Sequence, residues 1–265
     1  MDLGVRNNHF AVIGGSRGMG WAAVETLANE GANVFLMCRD PDLCGDNIQE
    51  IAERNGVQIT GVECDVSVEG SVEEAMTKVF SACDRLNGLA VTNYSSAHSP
   101  PFTEMSNADW DTHYQNVFMG SIRPCQVAIP HMIERGGGAI VLTASYSALV
   151  PKSSLFAYAS LKAGIIHVTK NIAQTYGEQG VRANCVCPGY IRTARAEARI
   201  KNLVEQSGID EREAERQLVD AVDFNIGLNR LGAPAEVGDM IAFLLSERAS
   251  YVSGATITID GASQG

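Results

Sequence analysis

Short apolar runs alternate with amphipathic stretches along the whole chain. The run "HFAVIGG" ends in glycines and predicts a first strand, with His9 just before it. "GWAAVETLANEG" has helical spacing and closes at Gly31. "NVFLMC" and "VQITGVECDV" read as the second and third strands, with "PDLCGDNIQEIAERNG" as a helix between them. "SVEEAMTKVFSACDRL" predicts a helix and "NGLAVTNY" a fourth strand. One long helix is predicted over "SNADWDTHYQNVFMGSIRPCQVAIPHMIERGG", opened by a capping box of Ser106 and Asp109 and stopped at Gly136 to Gly138. "AIVLTAS", "VRANCVC" and "ATITID" supply the remaining strands, with a helix around Tyr158 after the first of these. Strand and helix in regular succession predict a parallel sheet covered by helices on both faces. No linker, repeat or low-complexity segment interrupts the pattern, so the expectation is one doubly wound α/β domain over residues 1–265.

Charge removes some functions from consideration. The chain carries 31 acidic and 20 basic residues, a formal net charge of -11. Such a surface disfavours nucleic-acid backbones, which need clustered Lys and Arg, and anionic membrane surfaces. The start "MDLGVRNNHF" has no basic head followed by an apolar stretch, so no targeting leader is expected. No apolar run is long enough to span a bilayer. The seven cysteines form no CxxC pair and lack partners at metal-ligand spacing, so buried thiols and no metal are expected. Cys185 and Cys187, two apart on a strand, should share one face. The compartment reads as reducing and cytoplasmic.

Chemistry first shows in "IGGSRGMG", where Gly14, Gly18 and Gly20 are spaced GxxxGxG between strand and helix. Glycines there permit a tight turn and let backbone N–H groups approach a pyrophosphate, and a helix N-terminus favours the negative charge. The end of the second strand selects the cofactor. An acid there would hold a ribose 2′-OH, and a cation would hold a 2′-phosphate. The run is Cys38-Arg39-Asp40, so Arg39, with Arg17 from the glycine loop, favours NADP(H) over NAD(H). Asp40 is the competing residue, being able to reach a ribose hydroxyl.

Further along, "FAYASLKAG" places Tyr158 one helical turn ahead of Lys162. A free phenol has a pKa of about 10, and a neighbouring ammonium lowers it. Such a phenol can give a proton to a ketone oxygen and take one back in the reverse direction. The competing reading is a solvent-exposed pair on an ordinary helix.

Together these features resemble the short-chain dehydrogenase/reductase family, over nearly the whole chain. "IGGSRGMG" is similar to its TGxxxGxG loop, with Ile13 in place of threonine, and brings Ser16 and Met19 into the cofactor set. "CDV" resembles the adenine-side motif, implying Asp65 and Val66 at the adenine. "CPGYIRT" resembles the PG motif, implying that Pro188, Gly189, Ile191 and Thr193 line the nicotinamide side, with the Ile191 backbone and Thr193 on the carboxamide. The resemblance also implies that Ser145, at the family spacing and a strand end, holds the substrate oxygen, with Tyr146 and Ser147 as nearby rivals. It implies that Asn116 steadies a water relay to Lys162, completing a catalytic set of Asn116, Ser145, Tyr158 and Lys162. Tyr158 and Lys162 would also touch the cofactor. One departure stands out. The family's NNAG is replaced by Thr92-Asn93-Tyr94-Ser95, where Asn93 keeps the second position and Tyr94 must point away or reshape the cofactor wall.

His113, His131 and His167 fall in predicted helices, and His98 lies on the loop after the fourth strand as a candidate substrate contact. The charged, amphipathic segment at about 194–229 corresponds to the family's substrate lid. Its length, and apolar residues in "LVDAVDFNIGL" facing inward, suggest a bulky alicyclic, aromatic or steroid-like alcohol or ketone. The resemblance implies a homotetramer, with a homodimer as the smaller option. Two other functions stay open. One is a 3-oxoacyl thioester (acyl-carrier-protein) reductase, disfavoured by the acidic surface. The other is a redox sensor that binds NADP(H) without turnover.

Overall fold

The computed structural model describes residues 2–93, 99–152, 154–221 and 225–264. Strands β1 (His9–Ile13), β2 (Asn33–Cys38), β3 (Ile59–Glu63) and β4 (Gly88–Val91) alternate with helices α1 (Gly18–Asn29), α2 (Gly45–Asn55) and α3 (Ser71–Ala82). Next come α4 (Asn107–His113), α5 (Gly120–Glu134), β5 (Gly138–Thr143), α6 (Phe156–Tyr176) and β6 (Val181–Pro188). The chain closes with α7 (Ala194–Ser207), α8 (Glu211–Asp220), β7 (Asn225–Ile226), α9 (Pro234–Leu245), β8 (Thr256–Ile259) and β9 (Ser263–Gln264). Seven strands form one parallel sheet in the order β3-β2-β1-β4-β5-β6-β8, and β7 pairs antiparallel with β9. This is a single doubly wound Rossmann-like domain.

The period of two along each strand divides the core. Ala11, Ile13, Phe35, Met37, Leu89, Val91, Ile140 and Leu142 pack against α3, α5 and α6 on one face, joined by Cys185 and Cys187. Phe10, Val12, Val34, Leu36, Ala90 and Val141 pack against α1 and α9 on the other. The two cysteines of β6 therefore share a face, and all seven thiols are buried and free. Gly238 lets α9 lie on α1: a Cβ there would stand 2.5 Å from the Ala22 carbonyl carbon. His9 begins β1 rather than preceding it, and β3 is shorter at both ends than the apolar run predicts.

Two other expectations need correction. The long helix is not a single α-helix: a π-helical segment, Tyr114–Met119, separates α4 from α5. The Ser106–Asp109 capping box does open α4, with both reciprocal bonds formed. Of the apolar residues expected to face a substrate, Val222 and Phe224 lie outside the described residues, Leu228 is exposed, and the others are used elsewhere. Leu218, Val219 and Ile226 pack with Ala196, Ile200, Ala214 and Leu231 in a third, separate apolar cluster. The two amphipathic stripes of α7 and α8 thus face each other, and Tyr190, Ile226 and Leu231 complete their small core.

Candidate active site

In an open parallel sheet ligands sit beyond the carboxyl ends of the strands, where the strand order reverses. Here that point lies between β1 and β4. The glycine loop leaves β1 there. Gly14 has φ +78° and Gly18 has φ +57°, the left-handed region that favours glycine. A Cβ on Gly20 would lie 2.3 Å from the Gly14 carbonyl oxygen and 2.4 Å from Thr92 Oγ1, so α1 approaches the loop more closely than any side chain permits. Thr92 fixes the floor by donating from Oγ1 to the Ile13 carbonyl at 2.7 Å. Arg17 is the α1 N-cap residue without a side-chain cap, and the first turn holds no acidic residue. Ser16 is half-buried and Arg17 exposed at this mouth. An anion there would meet helix N–H groups with no carboxylate in the helix's own first turn.

At the end expected to meet the adenine, Asp65 Oδ1 accepts from the Ser67 amide at 2.9 Å and from Ser67 Oγ at 2.6 Å. Partial burial pushes the Asp65 carboxyl up, but the Ser67 bonds and the nearby Arg39 guanidinium bring it below the ordinary carboxylate range. Arg39 and Asp40 are both exposed at the end of β2. Val66 packs over Gly120, where a Cβ would meet Val66 Cγ2 at 2.8 Å and Asn93 Nδ2 at 2.9 Å. Opposite, Gly189 fits against Asp260 at the end of β6, and Ile191 bridges Gly232. A methyl group on Gly18 would stand 3.7 Å from Thr193 Cγ2, so the glycine loop and the loop after β6 face each other. These cradles fit a dinucleotide lying across the strand ends.

Tyr158 and Lys162 lie on the buried face of α6, 7% and 2% exposed. The reading of an exposed surface pair is thereby excluded. Lys162 Nζ lies 5.8 Å from the Tyr158 ring centroid and donates to the Thr143 carbonyl at 2.6 Å. Burial pushes the ammonium's pKa down to about 8, against a smaller opposing pull from the Cys185 and Cys187 thiols. Ser145 follows β5 and caps a 3-10 turn, Tyr146–Ala148. Its Oγ accepts from the Ser147 amide at 3.2 Å and from Ser147 Oγ at 3.0 Å. Both of its acceptor positions being occupied, the Ser145 hydroxyl has its proton to offer. Ser147 thus supports Ser145, and Tyr146 is buried beside them.

Asn116 sits within the π-helical segment. Its side-chain amide donates to the Thr112 carbonyl at 2.8 Å, along its own helix, and its backbone carbonyl accepts from Asn93 Nδ2 at 2.7 Å. Asn93 therefore ties the end of β4 to the segment carrying Asn116. Gly164 brings α6 against the same segment, its Cβ position being 2.9 Å from the Phe118 ring. Tyr94, Ser95 and His98 lie outside the described residues. His113 is buried and its pKa is pushed down by burial, which suits packing. Among the described residues no group of three or more His, Cys, Asp or Glu side chains is placed to hold a metal ion, and no helix is long and apolar enough to cross a membrane.

Comparison with known proteins follows the same lines. A family profile described as enoyl-(acyl carrier protein) reductase matches residues 13–262. Oxidoreductase UcpA of Salmonella typhimurium is 33% identical over 256 residues, covering 95% of this chain and 92% of the relative. L-sorbose reductase of Gluconobacter frateurii, solved with NADPH and L-sorbose, superimposes with a TM-score of 0.89 at 28% identity, covering 98% of both chains. A 7α-hydroxysteroid dehydrogenase solved with NADH and 7-oxo glycochenodeoxycholic acid gives a TM-score of 0.85 at 26% identity, covering 98% of this chain and 96% of the other. The chain belongs to the short-chain dehydrogenase/reductase family. It is accordingly an oxidoreductase of the NAD(P)-dependent class, built for hydride transfer between alcohol and ketone.

Proposed function

We propose that the protein interconverts a secondary alcohol and its ketone with NADP(H), acting on a bulky alicyclic, aromatic or steroid-like substrate. The observation that carries the chemistry is the buried Tyr158–Lys162 pair, tied through the Thr143 carbonyl to the strand end that bears Ser145. Bound across the strand ends, the nicotinamide cofactor supplies or accepts the hydride. Gly14, Ser16, Arg17, Gly18, Met19 and Gly20 hold its phosphates, Asp65, Val66 and Asn93 its adenine side, and Pro188, Gly189, Ile191 and Thr193 its nicotinamide side. Tyr158 gives the proton to the substrate oxygen during reduction and takes it back during oxidation. Ser145 donates a hydrogen bond to the same oxygen. Lys162 places positive charge beside the phenol, held in place by Thr143. Asn116 braces the helix segment alongside.

NADP(H) is supported by Arg39 and Arg17 at the expected 2′-phosphate position, and by the NADPH complex of the sorbose reductase. The ring-bearing substrate is supported by likeness to the hydroxysteroid dehydrogenase. The lid argument for it has lost force, since the apolar residues of α8 serve the cluster shared with α7. That observation favours a second reading, a polyhydroxylated ketone such as a ketose, in keeping with the sorbose reductase. We take the α7–α8 pair as the lid and a homotetramer as the working assembly. Initial rates test the reading: NADPH and NADH are each offered with cyclic ketones, a ketohexose and an acetoacetyl thioester. NADPH-driven reduction of cyclic ketones supports it. A ketohexose preference transfers the protein to the second reading, a thioester preference makes it an acyl-thioester reductase, and NADPH binding without turnover makes it a sensor.

A further inference from the structure

We infer that Arg192 is a positioning residue: it clasps the α7–α8 pair to the loop expected to hold the nicotinamide, and so sets the affinity for substrate. The inference rests on the proposed oxidoreductase reading and on four contacts that reading does not use. Arg192 lies between Ile191 and Thr193, and its amide donates to the Gly232 carbonyl at 2.8 Å, which fixes its backbone. Its guanidinium then spreads over three carboxylates. Nε donates to Glu197 Oε1 at 2.6 Å and Nη2 to Glu197 Oε2 at 3.2 Å, a two-point contact with α7. Nη2 also reaches Glu211 Oε2 at 3.2 Å and Nη1 reaches Glu215 Oε2 at 3.1 Å, both on α8. The other oxygen of Glu215 accepts from the Leu231 amide at 3.0 Å. One carboxylate of α8 thus holds both the cofactor-side loop and the segment returning to the domain.

Two features separate this arrangement from ordinary surface pairing. Arg216 pairs with Glu213 and Asp220, and Lys201 with Glu205, each within a single helix, whereas the contacts of Arg192 join three elements. The helices it joins also share an apolar cluster, so they can move together; the seam with Tyr190, Ile226 and Leu231, the Arg199–Tyr190 hydrogen bond and the contacts of Arg192 decide where they sit. Exposed ion pairs are individually weak and screened by salt, strong enough together to hold a lid and weak enough to release it. Removing the guanidinium also leaves Glu197, Glu211 and Glu215 facing one another, and their repulsion drives the elements apart. Lysine cannot replace it fully, because an ammonium lacks the planar fork that spans separate carboxylates.

The test combines kinetics with hydrogen exchange on the full chain. Arg192→Met should raise substrate KM about tenfold or more while NADPH affinity, read by fluorescence titration, changes less than about threefold. Exchange across residues 194–221 should quicken in the variant. Arg192→Lys should recover part of the KM loss. Glu211→Gln, at a carboxylate whose side chain is 74% exposed, should shift KM in the same direction by less. Added salt should raise KM in the wild type and leave Arg192→Met unmoved. Wild-type exchange in 194–221 together with an unchanged KM would overturn the clasp, as would a lowered melting temperature with no change in KM or local exchange. The exchange readout needs no turnover, so it judges the clasp even where the proposed substrates fail.

Discussion

Lys162 Nζ donates to the carbonyl oxygen of Thr143 at 2.6 Å. Thr143 ends β5, two residues before Ser145, so this bond fastens the helix bearing Tyr158 to the strand end bearing Ser145. The contact fixes the spacing of the proposed proton donor and the proposed hydrogen-bond donor. It also holds a cation where burial opposes charge.

That opposition has a measurable cost. With the pKa of Lys162 pushed down to about 8, the unfolded chain binds more protons than the folded one between about pH 8 and about pH 10.4, so stability should rise with pH across that window from this residue. Below about pH 8 the full penalty remains. Lys162→Met should therefore raise stability near neutral pH by roughly 1–3 kcal/mol while abolishing turnover. Cofactor-free melts at neutral and alkaline pH, at one protein concentration, would show the gain shrinking as pH rises. A variant less stable than wild type at neutral pH would mean that the bond to Thr143 outweighs the cost of burial.

Tyr158→Phe removes one hydroxyl and should leave the cofactor site standing. The expected loss in kcat is about 10²–10⁴-fold. NADPH affinity should stay within about threefold of wild type, since the lost interaction belongs to the transition state. Steady-state rates and a binding titration on the same preparation check both parts, and retained turnover would remove Tyr158 from the proposed role.

Ser147→Ala separates support from contact. Ser147 donates to Ser145 from its hydroxyl as well as its amide, and only the hydroxyl is lost. We expect kcat/KM to fall about three- to tenfold, the worth of one neutral hydrogen bond, with NADPH affinity unchanged. A loss as large as that of Ser145→Ala would instead make Ser147 the residue on the substrate.

Gly20→Ala tests the cradle. The added methyl would collide with the backbone oxygen of Gly14, which has no flexible end to move aside. A loss of about 1–3 kcal/mol of stability and at least about tenfold in cofactor affinity should follow. Thermal melts with and without NADPH read both.

Arg39→Ala addresses cofactor choice. Loss of a charge-assisted contact to a 2′-phosphate should weaken NADPH roughly ten- to hundredfold and leave NADH nearly unchanged. Equal weakening of both would remove Arg39 from the 2′-phosphate, since the two cofactors differ only there.

Much of this molecule is legible in its sequence, for reasons that differ by element. Strand and helix periods mark the sheet, because Phe10 and Ala11 must face opposite layers. The glycine loop is legible because the left-handed backbone at Gly14 and Gly18 favours glycine. Tyr158 and Lys162 are legible as neighbours because a four-residue step fixes their relation within one helix. What lies beyond a single element is harder to read. The pattern reveals an apolar stripe through Leu218 and Val219 but not its partner, and that partner is α7. The bond from Lys162 to Thr143 joins residues far apart in the chain and uses a backbone carbonyl, which no side-chain motif records. The π-helical segment adds a residue to a turn without changing composition. Arg192 lies within a recognised motif, yet its role depends on three glutamates placed by the fold.

The separate apolar cluster centred on α7 and α8 has a consequence for changing what the protein accepts. A segment that buries its own apolar surface can be exchanged without repacking the sheet beneath it. Replacing residues 194–221 by the corresponding stretch of a relative should yield folded chimaeras if the graft keeps the acids that meet Arg192 and the apolar seam that meets Tyr190 and Leu231. Selectivity and catalysis would then be separable parts, one carried by a graftable helical hairpin and the other by the unaltered strand ends.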